Sequence, residues 1–158
     1  MPRREGSAQS LDATISRLRL LLAELTAKEA QYEHIRLQNR QQRNRIVTNA
    51  LYSDAALDIS LGLLRAVDER QRDVEECLDH LSLIRGRLET ELESLQLTRR
   101  VEQTRAELAE LERQQRELNG QASPLAEELA SEIRRLRDII NEASERAARA
   151  IERSSRAS

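Results

Sequence analysis

Apolar residues return every three or four positions along most of this chain. Leu11, Ile15, Leu18, Leu22 and Leu25 alternate steps of four and three, which places them on one stripe of an α-helix. Continued at that spacing, the stripe reads Glu29, Tyr32, Arg36, Asn39, Arg43, Ile46 and Ala50, so its second half turns polar. A second stripe runs Leu64, Val67, Gln71, Val74, Leu78, Leu81, Arg85, Leu88, Leu92 and Leu95. After a register shift near residues 95–100 it resumes as Val101, Thr104, Leu108, Leu111, Gln115 and Leu118. A third, more regular heptad follows: Ala126, Leu129, Ile133, Leu136, Ile140, Ala143, Ala147 and Ala150.

Breaks between the stripes set the organisation. Residues 1–10 are polar and contain Gly6 and Ser7, which predicts a disordered arm. Residues 11–118 read as a long helical coiled-coil region with a break near 49–54, where Ser53 can cap a new helix and Asp54 sits in its first turn. Beyond it, Leu57–Leu63 alternates apolar and polar. A strand there would have no partner for its ladder groups, so a helix with Leu57, Leu61 and Leu64 on a wide apolar face, and Leu63 beside it, is the better reading. Gly86 interrupts the second stripe and is a candidate bend. Residues 119–124 read as a loop: Asn119-Gly120 stops one helix, and Ser123-Pro124 caps and opens the next. The last helix is expected over 125–153, with 154–158 as a tail. The fold class that follows is all-α: an elongated coiled coil, built as an antiparallel helical hairpin plus a third, C-terminal heptad helix.

Composition supports this class. Charged residues make up 34% of the 158 and aromatics 1%, with no Phe and no Trp, so the large rings that usually fill a globular core are missing. Leu, Ala, Glu, Arg and Gln, all good helix formers, dominate instead. No apolar run reaches the roughly 20 residues that span a bilayer. Arg17, Arg19 and Glu24 interrupt the apolar stretch of the first 25 residues, which argues against a secretory signal. Glu5 and Asp12 count against a mitochondrial presequence. Cytoplasmic or nuclear localisation is the resulting expectation.

The net charge of −2 gives no global drive toward a polyanion, but its distribution is uneven. Residues 1–45 carry +4, residues 46–98 carry −6 and the remainder is neutral. Arg36–Arg45 holds four arginines and no acid, while Asp68–Asp79 holds six acids and two arginines. Antiparallel pairing of these segments would bring opposite charges together and select register. Arg36, Arg40 and Arg43 on one side, and Asp73 and Glu76 on the other, are the candidate register-setting residues.

Candidate chemistry is thin. Cys77, the single cysteine, lies three residues from His80 and four from Asp73. That is too few ligands for a metal within one chain, and His34 stands alone. No phosphate-cradling glycine loop or nucleophile elbow is present. The chain is therefore read as a non-enzyme with no cofactor, no metal and no catalytic residue.

"QNRQQRNR", Gln38–Arg45, resembles the basic region of basic-leucine-zipper proteins, with Asn39 in the place of that family's base-reading asparagine. The likeness covers about ten residues and departs at Gln41-Gln42, where that family has small residues, and at Val47, where it has arginine. It implies a helical nucleic-acid binder that uses Arg36–Arg45. The expected hairpin also resembles, in length and shape alone, the stalk subunits of secretion-system export ATPases, which would imply a stalk or helical chaperone. The preferred expectation is a structural protein: an oligomerising coiled-coil subunit that binds protein partners as scaffold or tether. Its interaction seam is Leu11, Ile15, Leu18, Leu22, Leu25, Leu64, Val74, Leu78, Leu81, Leu88, Leu92, Leu95, Leu129, Ile133, Leu136 and Ile140.

Overall fold

The computed structural model describes residues 3–118 and 123–156. Among the described residues the protein is all-α, with three helices and no strand: α1 (Arg3–Tyr52), α2 (Leu57–Glu117) and α3 (Pro124–Arg156). Several boundaries differ from the sequence expectation. The segment expected as a disordered arm is helical from Arg3, because its Arg, Glu, Ala and Gln residues continue a helix without a breaker strong enough to stop it. α3 likewise begins at Pro124 and runs to Arg156, through part of the expected tail. The Asn119-Gly120 stop lies outside the described residues. Gly86, the candidate bend, sits inside unbroken α2.

Local chemistry explains the helix ends. α1 closes on the carbonyl of Asn49, which accepts both the Ser53 N–H, at 3.0 Å, and the Ser53 hydroxyl. Ser53 therefore finishes α1 and does not cap α2. The carbonyl of Ala56 accepts the first α2 amides, from Ile59 at 3.1 Å and Ser60 at 3.2 Å, and Asp58 stands in the positive first turn. At α3 the sequence reading and the structure agree. The Ser123 hydroxyl accepts the Ala126 N–H at 3.2 Å, Pro124 is the first helical residue and Glu127 lies in the first turn.

The chain divides into two compact units, Leu20–Leu88, and Met1–Arg19 with Glu89–Ser158. In the Leu20–Leu88 unit, α1 and α2 run antiparallel: Glu29 meets Arg85, Asn39 meets Gln71 and Arg43 meets Asp68. Their shared core is one narrow stripe, with Leu25, Asn39 and Ile46 buried on α1, and Ser60, Val67, Val74 and Leu88 buried on α2. In the other unit, Ile15, Val101, Thr104, Ile133, Leu136, Ala143 and Ala150 are buried. There Arg99 pairs with Asp12 at 3.0 Å and Arg137 with Glu112 at 2.7 Å, tying α2 to α1 and α3 to α2.

Candidate interaction surfaces

The seam positions show two degrees of burial. Ile15, Leu25, Val74, Leu88, Ile133 and Leu136 are buried. Leu11, Leu18, Leu22, Leu64, Leu78, Leu81, Leu92, Leu95, Leu129 and Ile140 are half-buried. This cover comes from the chain's own helices, so these side chains are spent on folding before any partner arrives.

Within the polar half of the first stripe, Asn39 meets a polar position on α2, between the buried Val67 and Val74. Asn39, buried, donates its side-chain amide to Gln71 Oε1 at 3.3 Å, and Gln71 donates in turn to Glu75 at 2.7 Å. Asn39 is thus turned into the helix pair, away from any base edge that the leucine-zipper likeness would have it read. Of the register candidates, Arg43 reaches Asp68 at 3.6 Å, while Arg36 pairs with Glu33 in its own helix at 2.7 Å. Arg40, Asp73 and Glu76 are exposed. The acid opposite Arg43 is Asp68 and neither Asp73 nor Glu76, because the antiparallel register places residue 43 level with 68.

The strongest polar contact of this unit was legible only in part. Arg85 donates Nε and Nη2 to both carboxylate oxygens of Glu29, the closest at 2.6 Å, and Nη2 also reaches Thr26 Oγ1 at 2.8 Å. A two-toothed guanidinium–carboxylate pair fixes orientation as well as charge. The Arg85 bonds hold Glu29 below the usual glutamate range, which outweighs the opposing effect of desolvation. Glu29 and Arg85 both stood at seam positions in the sequence. Their opposite signs were the available signal for the pair.

Cys77 is half-buried and meets Tyr32, whose phenol is pushed up by a hydrogen bond with the cysteine side chain. His34 bonds Gln38 in its own helix at 3.0 Å. Among the described residues, no three His, Cys, Asp or Glu side chains gather as metal ligands, and no helix is long and apolar enough to cross a membrane.

The clearest departure lies where α1 and α2 join. The expected apolar face of Leu57, Leu61 and Leu64 is mostly turned outward: Leu57 is 67% exposed and Leu61 53%, while Ser60 is only 4% exposed. The cause is helical phase. Val67 and Val74 fix which side of α2 meets α1, and one heptad earlier that side is Ser60. Val47, Leu51, Tyr52, Ile59 and Leu63 are exposed as well.

The chain matches no family model, no curated protein and no solved structure.

Proposed function

We propose that this protein is a structural, protein-binding subunit, an oligomerising coiled-coil protein that acts as scaffold or tether within a larger assembly. The observation that carries the reading is the division of its apolar side chains into two sets. One set forms the narrow stripe that the helices bury against each other. The other stays exposed and concentrates between Val47 and Leu63. A folded chain that keeps a cluster of large apolar residues in water has surface suited to another protein. The neighbouring helix faces carry charges of both signs, which select a partner's orientation more than they add affinity.

Light scattering on the purified chain, together with affinity capture from its host, tests this reading. The expected result is a mass above that of one chain, or a reproducible protein partner. A single chain at every concentration, with nothing captured, overturns it.

A further inference from the structure

We propose that the α1–α2 pair carries a hinge at the level of Gly86, near the edge of the Leu20–Leu88 unit. The inference goes beyond the scaffold reading and does not rest on it. Its first support is the glycine itself. Gly86 lies far from either end of α2 (Leu57–Glu117), in helical backbone. A Cβ built there meets nothing within 4 Å. Neither close packing nor a turn therefore calls for glycine, while its backbone freedom weakens a helix interior. The boundary of the compact unit falls just beyond it, between Leu88 and Glu89.

The second support is on α1. Two helices that stay paired can bend only if both give way at one level. Leu25 and Leu88 are buried here, and Arg85 grips Glu29 with its closest bond at 2.6 Å, so the pair remains closed. Arg85, next to the glycine, also donates to Thr26 Oγ1 at 2.8 Å, and the Thr26 hydroxyl donates to the Leu22 carbonyl at 2.9 Å. A hydroxyl on the carbonyl four residues back competes with the helical amide for that oxygen and favours bending. The softened turn of α1, Leu22–Thr26, is thus bonded to the residue beside the softened turn of α2.

These contacts give the hinge a definite character. The seam and the Glu29–Arg85 pair hold the register of α1 on α2, so bending changes the direction of the pair without letting one helix slide on the other. Gly62 is equally open, but it lies in the second turn of α2, where a helix end yields without a glycine. It serves as the internal control.

Pulsed electron paramagnetic resonance on the full chain tests the hinge. With Cys77 changed to Ser, spin labels are attached at Arg72→Cys and Glu102→Cys, two exposed positions of α2 on opposite sides of Gly86. A straight helix separates them by ~45 Å. The parent should give a broad distribution that extends to shorter distances. Gly86→Ala should narrow it toward the straight value, and Gly62→Ala should leave it as in the parent. Hydrogen exchange, which needs no label, is the second measurement. Amides of residues 87–90 should exchange faster than those around Val74, and Gly86→Ala should reduce that excess about fivefold. Equal widths for the parent and Gly86→Ala, an equal effect of Gly62→Ala, or exchange at 87–90 that Gly86→Ala leaves unchanged overturns the proposal. Light scattering and capture bear on the scaffold reading alone, so either reading can fail without the other.

Discussion

Asn39 on α1 donates its side-chain amide to Gln71 on α2, 32 residues away, across a stripe that is otherwise largely apolar. A polar pair at such a position gives up apolar burial and in return penalises registers that leave either amide without its partner. Replacing both residues with leucine should therefore raise the melting temperature, with a gain of about 1–3 kcal/mol from the added burial. Asn39→Ala alone should cost about 1 kcal/mol. Thermal unfolding followed by circular dichroism separates the two outcomes. A double-leucine variant less stable than the parent would show that the pair is valued for more than register.

The Glu29–Arg85 contact makes a prediction about pH. Arg85 holds the Glu29 carboxyl below its ordinary range, so on acidification the unfolded chain takes up a proton before the folded one does. The contribution of the ionised pair is complete above the ordinary glutamate value and is lost as pH falls through the lowered value of Glu29. Glu110, brought down to about 2 by Arg113 and Gln114, and Glu132, lowered by Arg135, act with the same sign. The informative quantity is therefore a difference between variants. The melting temperature of the parent should fall more steeply across this acid window than that of Glu29→Gln, and the two curves should converge at its lower end. Parallel curves would mean that the pair adds nothing to stability.

Much of this arrangement was written in the spacing of residues. The alternation of three and four steps located Ile15, Leu25, Val67, Val74, Ile133 and Leu136 in the core, because helix geometry alone decides which positions share a side. Ser123-Pro124 likewise announced its own cap, since that chemistry is local. What the spacing could not supply was the identity of the covering surface. An apolar stripe reads the same whether its cover is another chain or the same chain folded back, and only the closure of α1 on Asn49 decides it. The surface of α2 near Leu57 was misread for a related reason. Its leucines outnumber its polar residues, yet the phase inherited from Val67 buries Ser60 and leaves Leu57 and Leu61 outside.

That division of leucines has a measurable consequence for stability. Ile15 and Val67 are almost wholly enclosed, so Ile15→Ala should cost about 2–5 kcal/mol, and Val67→Ala should cost in the same direction through the cavity it leaves. Leu61→Ala should change the stability of the single chain by no more than about 0.5 kcal/mol, although leucine is larger than valine. Urea denaturation at low protein concentration makes the comparison without interference from association. Equal losses at Val67 and Leu61 would place Leu61 in the fold and take it away from the surface.

The start of α3 offers a local test. The Ser123 hydroxyl is the side-chain acceptor for the Ala126 amide, and the residues that follow carry Ala126 and Leu129 toward the buried Ile133 and Leu136. Ser123→Ala removes that acceptor and should cost about 1 kcal/mol. Ser123→Asp should retain it, because a carboxylate accepts the same bond and suits the positive end of the helix. Hydrogen exchange at the Ala126 amide, which the Ser123 carbonyl also accepts at 3.0 Å in every variant, reads what the side chain adds. Exchange should quicken in the alanine variant and stay slow in the aspartate variant, while amides near Ala143 should be slower to respond, since fraying reaches them last. If all three proteins exchanged alike at Ala126, the packing of Ile133 and Leu136 would be sufficient to hold the first turn, and the Ser-Pro signal would mark only where α3 begins.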